Sequence, residues 1–369
     1  MNPSSNPTRL DERNHKVFFE SIERHRNSLC PSPEEYLLKK LLELPTYIAN
    51  RKAIYLDTNH WINLRHVRLG RPDQPYYREI LEILLTLVKQ KQVFCPLGFP
   101  LFEELMRQTD EKTRRPMAQL MDELSAGFAL KNLAELGEDE WRFHCYHIYF
   151  GDGSNCPAVI PWTKPGFWNA WLSSPWNIKD IPKPITDMAW IDTKWTWSIE
   201  DAMDFMGSTS IADHLFQQFV KSSNAAIAVR QTKRLTYNNV LAIKKFEMFQ
   251  QFCNREIGFK AWKATGSPND CLKPQLAFVE NQDLRKVPSL SVASGIQAAS
   301  IYTGRTFEEN DMIDVMHLGS AVPYCSAVCC DKEMANLLRQ KPLEVRKYFD
   351  IEILNKPEDI LNYLRTFKM

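Results

Sequence analysis

A short apolar run leads directly into polar residues at Ala53-Ile54-Tyr55-Leu56-Asp57-Thr58-Asn59. The apolar, partly β-branched part predicts a buried strand, and the polar part predicts a turn at its carboxyl end. A second short strand is predicted at Val93-Phe94-Cys95-Pro96, after an amphipathic helix over residues 77–91. This alternation of strand and helix favours a parallel α/β layer.

The closing part of the chain repeats the alternation. Helices are predicted over residues 289–302, 311–321 and 332–339, and strands over 326–330 and 349–354. Near the first strands, shorter helices are predicted over residues 61–69 and 101–108. The two parts of the chain therefore predict two halves of one α/β domain.

The middle of the chain has a different composition. Eight of the ten tryptophans lie between Trp141 and Trp197 without steady periodicity, and residues 211–263 return to helical patterning as two helices divided near 235–237. This predicts a Trp-rich and helical insertion at 140–285, between domain halves at 51–139 and 286–369. Residues 1–50 are expected to be an N-terminal helical extension, a polar tail followed by a helix that opens at Ser32-Pro33-Glu34-Glu35.

Composition excludes several classes of protein. The 369 residues are 44% apolar, as in a folded soluble protein. No apolar run approaches the roughly 20 residues of a membrane span, and residues 1–14 lack a secretory signal, so no membrane partner is expected. Nine cysteines without paired CxxC clusters favour reduced thiols and a cytoplasmic location. Because the net charge is only +1, any nucleic-acid surface must be a local patch.

Carboxylates recur beside the predicted strand ends. They are Asp57, Asp331, the pair Glu103 and Glu104, and the pair Asp311 and Asp314. In open α/β sheets ligands bind at the carboxyl ends of the strands. An all-carboxylate site suits Mg²⁺ or Mn²⁺ rather than zinc, and such sites commonly serve phosphodiester hydrolysis. The alternative for each acid alone is structural, since Asp after a strand is also a common turn former or helix N-cap.

The motifs resemble those of a known family. The run from Ile54 to Asn59 resembles the opening motif of PIN-like nucleases, where a hydrophobic strand ends in Asp-Thr-Asn and the Asp binds metal. Residues 96–105 resemble the second motif, whose register makes Glu104 the ligand and Glu103 its alternative. Residues 310–332 are similar to the closing motifs, with an Asp on a helix, a strand and a last Asp.

In the closing motifs the resemblance makes Asp314 and Asp331 the expected ligands, with Asp311 as a second-shell or alternative ligand. The strand before Asp331 ends in Cys329-Cys330, where family members usually have Thr. The resemblance covers residues 50–110 and 290–355 and leaves 1–50 and 140–285 unexplained.

This resemblance implies a fold and an activity. The expected fold is α/β, a PIN-like parallel sheet flanked by helices with a large, mostly helical, Trp-rich insertion. The expected activity is metal-dependent endonucleolytic cleavage of single-stranded RNA or tRNA, in a toxin, in RNA processing or in phage defence. The catalytic residues would be Asp57, Glu104, Asp314 and Asp331, which with Asp311 would bind Mg²⁺ or Mn²⁺. Thr58, Asn59 and His317 would orient these carboxylates or a bound water.

A basic region offers a surface for RNA, either tRNA or mRNA. Residues 213–263 hold nine Lys+Arg against three Asp+Glu, a local charge of +6. The residues expected to contact phosphate are Arg230, Lys233, Arg234, Lys244 and Lys245. The alternative is a solvated helical face. The tryptophans could stack unpaired bases, or build a core in a segment with few aliphatic residues.

Other functions compete with the nuclease. A catalytically silent PIN-like scaffold would bind RNA, a protein partner or an inhibitor through the basic helices and the insertion, but retention of all four acids argues against it. A phosphatase would usually carry a second Asp where Asn59 stands, and no GxxxxGK[ST] loop is present for a nucleoside triphosphatase. A zinc site at residues 144–147 lacks a second pair of ligands.

Overall fold

The computed structural model describes residues 12–26, 32–71, 75–108, 110–151, 158–168, 173–176, 178–206, 213–253, 263 and 272–368. These residues form an α/β structure that is mostly helical, with sixteen α-helices and a small four-stranded parallel sheet. The prediction of an α/β fold with a parallel sheet is confirmed.

The helices are α1 (Glu12–His25), α2 (Pro33–Ile48), α3 (Thr58–Arg68), α4 (Tyr77–Lys89), α5 (Phe99–Arg107), α6 (Glu111–Ser125), α7 (Leu133–Phe150), α8 (Lys183–Trp195), α9 (Ile199–Met206), α10 (Asp213–Lys233), α11 (Tyr237–Phe252), α12 (Lys273–Val279), α13 (Pro288–Thr303), α14 (Glu309–Ala321), α15 (Lys332–Arg339) and α16 (Pro357–Leu364). The strands are β1 (Lys52–Leu56), β2 (Val93–Phe94), β3 (Ala129–Leu130), β4 (Trp162–Thr163), β5 (Ala327–Cys329) and β6 (Glu352–Leu354). Short 3₁₀ helices cover Pro165–Phe167 and Val345–Lys347.

The main sheet brings the two ends of the chain together. Its strand order is β2-β1-β5-β6, and all neighbours are parallel. Leu56 pairs with Cys329, so β1 and β5 end side by side. The strands β3 and β4 form a separate antiparallel pair.

Helices cover both faces of the main sheet. In β1, Ile54 and Leu56 belong to one hydrophobic cluster, whereas Ala53 and Tyr55 belong to another, because successive side chains of a strand point to opposite faces. The first cluster includes residues of α1, α3 to α6, α8, α9 and α16. The second includes residues of α2, α7 and α11 to α15. This two-sided burial explains why the predicted strands are continuous apolar runs.

The described tryptophans build core. Trp168, Trp190 and Trp197 join the hydrophobic cluster of Ile54 and Leu56, and Trp190 is fully buried. The indole of Trp168 also donates a hydrogen bond of 3.0 Å to the Leu130 carbonyl. The prediction that tryptophans supply core in this segment is therefore confirmed for these residues, and they are not exposed to stack on bases.

Two local predictions are corrected. Residues 12–25 were expected to be part of a polar tail but form α1, because Phe18 and Ile22 pack into the core. The last strand is shorter than expected, since Val345–Lys347 makes a 3₁₀ turn whose Val345 carbonyl accepts from the Phe349 N–H. Among the described residues, no helix has both the length and the apolar character needed to cross a bilayer.

Candidate active site

Asp57 and Asp331 begin helices at neighbouring strand ends. Asp57 caps α3 by accepting the Thr58 N–H at 2.7 Å, and Asp331 caps α15 by accepting the N–H groups of Glu333 at 2.6 Å and Met334 at 3.0 Å. Each cap uses only the Oδ1 oxygen. The second oxygen of each carboxylate accepts no hydrogen bond from the described residues, so the capping role leaves it available to a ligand.

Pairing of β1 with β5 brings these two acids together. The Asp57 N–H donates to the Cys329 carbonyl at 2.9 Å, and Asp331 follows two residues later. Both carboxylates are half-buried. Burial raises the pKa of Asp57, and the negative charges of Glu104 and Asp331 raise it further against the opposing effect of His317. The acids therefore share one electrostatic environment.

Glu104 is contacted by side chains from two other helices, one of which is bonded in turn to a strand residue. The Thr58 hydroxyl donates to its Oε2, and the Nε2 of His317 on α14 lies 3.6 Å from the same oxygen. The Nδ1 of His317 hydrogen-bonds the hydroxyl of Tyr55 on β1. Burial raises the pKa of Glu104, but His317 and Thr58 outweigh it and the pKa lies below its usual value.

This chain of contacts makes Tyr55 a residue of the site that the sequence reading treated only as part of a strand. Burial and nearby acids hold the pKa of Tyr55 well above its usual value, so its hydroxyl keeps its proton. When the Tyr55 hydroxyl donates its proton to Nδ1, the single hydrogen of a neutral His317 ring is on Nε2, which faces Glu104. The only local indication that Tyr55 belongs to the site was its position two residues before Asp57, which puts its hydroxyl on the same face of the strand.

Gly98 makes room for this contact. A Cβ at Gly98 would lie 2.6 Å from the Tyr55 hydroxyl oxygen, closer than atoms in contact allow. Gly98 is also the residue before α5, the helix that carries Glu104. The glycine therefore couples the position of Tyr55 to the start of that helix.

Asp314 is a buried acid without a partner. It is half-buried, and it makes no hydrogen bond or ion pair with any residue that the structure describes. Burial raises its pKa to about 7, with further contributions from the charges of Asp57, Asp331 and Asp311. Such a carboxyl is destabilising unless a cation approaches it.

The structure distinguishes between the two alternative ligands in each pair of acids, Asp311 or Asp314 and Glu103 or Glu104. Both oxygens of Asp311 are in use, one toward Arg305 at 2.6 Å and one accepting the Glu308 N–H at 2.7 Å, which favours Asp314 over Asp311 as the free ligand. Glu103 is buried, and burial raises its pKa to about 7. Only Glu104 is bonded to Thr58, next to Asp57.

The donor set fits a hard divalent cation. Asp57, Glu104, Asp314 and Asp331 offer only carboxylate oxygens, the ligands that Mg²⁺ and Mn²⁺ prefer. Within the described chain, however, no three Asp, Glu, His or Cys side chains are already clustered around a common point as metal ligands. The acids surround a shared region rather than form a closed cage. Asn59 is exposed at its rim.

Fewer of the predicted RNA-binding residues are exposed than the sequence indicated. Lys245 is fully buried and donates to the Asn281 carbonyl at 2.7 Å, and Lys244 is 4% exposed and pairs with Glu247 at 2.7 Å. These two lysines cannot reach a phosphate, so that part of the prediction is wrong. The helical pattern of the sequence did not indicate the burial of these two lysines, because long basic side chains can also cross a buried face.

The other three basic residues lie at the end of α10. Lys233 and Arg234 are exposed, whereas Arg230 is half-buried with its guanidinium 4.5 Å from the centre of the Tyr302 ring. Asn224 in the same helix hydrogen-bonds both the N–H and the carbonyl of Phe307, just before α14. The middle of α10 is thus attached to the segment that leads into the helix of Asp314.

The chain matches no protein-family model, no curated protein and no solved structure. Its functional assignment therefore rests on the arrangement of its own residues.

Proposed function

We propose that the protein is a Mg²⁺- or Mn²⁺-dependent endoribonuclease that hydrolyses phosphodiester bonds of single-stranded RNA or tRNA. The observation that carries this proposal is Asp314, a mostly buried acid with no partner among the described residues, whose pKa is raised to about 7 beside Asp57 and Asp331. A cluster of unneutralised carboxylates at the carboxyl edge of a parallel sheet is stabilised by a bound cation. The resemblance of the motifs to PIN-like nucleases supports the same assignment.

The residues of such a site would have different roles in binding metal and in orienting the ligands. Asp57, Glu104, Asp314 and Asp331 would hold one or two ions. When bound, these ions lower the pKa of a water nucleophile and neutralise charge on the phosphoryl oxygens. Thr58 and His317 orient Glu104, and Tyr55 orients His317. The caps made by Asp57 and Asp331 fix one oxygen of each acid and would leave the other to bind an ion.

The RNA substrate is inferred in part from two exposed basic residues. Lys233 and Arg234 are exposed at the end of α10, and Asn224 in the middle of this helix hydrogen-bonds the segment before α14. Phosphate contacts of this kind position a strand without reading its sequence. A role in a toxin or in phage defence is part of this proposal, as is a protein partner or inhibitor that controls cleavage.

The test compares wild type with Asp57→Asn, Asp314→Asn and the matched control Glu82→Gln, an exposed acid on α4. Each protein is incubated with total RNA, tRNA or single-stranded DNA in Mg²⁺, Mn²⁺ or EDTA. We expect metal-dependent RNA cleavage by wild type and the control, and a loss of at least about a hundredfold in the two site variants. Intact RNA with every folded protein, but retained binding, would instead support the catalytically silent scaffold.

A further inference from the structure

A cavity of about 260 Å³ lies away from the acids. It is lined by Lys40, Glu43, Leu44, Tyr47, Phe128, Lys164 and Trp195. The proposed nuclease uses none of these residues. Its walls combine aromatic rings with amino groups, a composition typical of sites for planar anions.

Lys164 lines this cavity and Arg51 lies next to it against the same ring, and neither side chain has a carboxylate partner among the described residues. Lys164 Nζ lies 4.4 Å from the centre of the Phe128 ring, and the Arg51 guanidinium lies 5.9 Å from the same ring. Neither side chain makes a hydrogen bond or an ion pair with the described residues. By contrast, Lys40 pairs with Asp192 at 2.5 Å. The Lys164 and Arg51 side chains therefore carry positive charge that no ion pair neutralises, while the exposed carboxylate of Glu43 lies at the rim of the cavity.

The backbone is shaped to admit Lys164. Gly127 has a φ of +71°, and a Cβ there would lie 3.3 Å from Lys164 Nζ. Burial and the charge of Arg51 lower the pKa of Lys164 to about 8. An anion between the two cations would relieve both effects.

The rim of the cavity offers a ring and an acceptor. Tyr47 is 60% exposed and has no aromatic partner among the described residues, so its face is open to a planar group. Glu43 is exposed beside it and can accept hydrogen bonds from hydroxyl or amino groups. These features extend the site beyond what a simple oxyanion requires.

The cavity and the acids lie at opposite ends of the sheet. Arg51 directly precedes β1, whereas Asp57 directly follows it. Six residue steps along an extended strand span about 20 Å. A ligand in the cavity cannot touch the carboxylates.

We propose that this cavity is a second ligand site that binds a free nucleoside monophosphate, with the phosphate between Lys164 and Arg51 and the base against Tyr47. Glu43 accepts from the ribose or the base. The site is separate from the acids, and its occupancy does not depend on the proposed nuclease.

The test is isothermal titration calorimetry on the full chain. The ligands are AMP, GMP, CMP and UMP, with inorganic phosphate and adenosine as partial ligands. The variants are Lys164→Gln, Arg51→Gln, Tyr47→Ala and the surface control Lys89→Gln, each checked for folding by circular dichroism. Asp57→Asn is included to separate this site from the nuclease.

At least one monophosphate should bind wild type, Lys89→Gln and Asp57→Asn alike. Lys164→Gln and Arg51→Gln should each weaken binding by about tenfold, the loss typical of one charge-assisted contact. Tyr47→Ala should weaken nucleotide binding but not phosphate binding. The proposal is overturned if folded wild type binds no monophosphate, if phosphate or adenosine alone binds as tightly, or if both cation variants bind like wild type.

Discussion

Asp314 loses most of its contact with water on folding and gains no partner among the described residues. Its pKa rises from an ordinary 3.8 to about 7, first through burial and then through Asp57 and Asp331. Between these two pH values the folded state binds more protons than the unfolded state. The free energy of unfolding therefore decreases as pH rises through this window, and the full destabilisation is present above pH 7.

The first prediction is that Asp314→Asn stabilises the protein at pH 8 while abolishing cleavage. The gain should be roughly 1–2 kcal/mol, since solvent screens part of the repulsion, and it should shrink at pH 5. Urea unfolding at both pH values measures it. As a comparison, Asp331→Ala should destabilise the protein, because it removes the cap of α15. A less stable Asp314→Asn at pH 8 would contradict the electrostatic argument.

The hydroxyl of Tyr55 is the subject of the second prediction. Tyr55→Phe removes the partner of His317 Nδ1 and should cost about 1–3 kcal/mol of stability. It should also slow cleavage, because His317 no longer holds Glu104, while RNA binding persists. Cleavage rates and urea unfolding are measured together.

The matched control is Tyr77→Phe, which removes a similar bond of 2.7 Å between a buried tyrosine and His60 Nδ1. It should lose comparable stability yet keep cleavage. If Tyr55→Phe cleaves RNA as fast as Tyr77→Phe, the Tyr55 hydroxyl has no role in the site.

At the level of elements, local patterns predicted much of the fold. The helix over 332–339 has the predicted bounds, because Asp331 caps it and its apolar residues recur at helical spacing. Strand β1 was predicted from its apolar run. In contrast, α1 was missed because its mostly polar sequence is anchored by Asp192, some 170 residues away along the chain.

The same limit applies to the site. Asp57 and Asp331 were recognisable because Asp57 directly follows β1 and Asp331 comes two residues after the end of β5. The contact of Tyr55 with His317 spans 262 positions, and the space for it depends on Gly98. The burial of Lys244 and Lys245 could not be predicted from the local sequence either. Residues whose role depends on a distant partner leave no local pattern to read.

Asp192 on α8 joins three helices, which gives the third prediction. It accepts from groups on α1 and α2, namely Ser21, Arg24, His25, Tyr36 and Lys40. Asp192→Ala should destabilise by about 3–5 kcal/mol, because it leaves Lys40 without its buried counter-charge. Limited proteolysis with mass spectrometry should show earlier cleavage within α1 and α2. Glu20→Gln, which breaks only an exposed ion pair, should change neither.

Across the whole molecule, the basic end of α10 should contribute to RNA affinity. The fourth prediction is that Lys233→Glu with Arg234→Glu weakens RNA binding about equally for all sequences. It should also reduce the dependence of log affinity on log salt by about 0.7 for each lost phosphate contact. Filter binding from 50 to 200 mM salt measures both. The control Lys39→Glu with Lys89→Glu makes the same charge change elsewhere, and an equal effect there would argue for nonspecific attraction.

The pairing of β1 with β5 also sets when the site can exist during synthesis. Asp57 is made early, but its neighbour Asp331 is translated 274 residues later, and the sheet edge that joins them needs β5. A ribosome-bound chain that ends before Ala327 therefore lacks both Asp331 and the strand that pairs with β1. The proposed nuclease would then be unable to cut the messenger that encodes it until most of its own sequence has been translated.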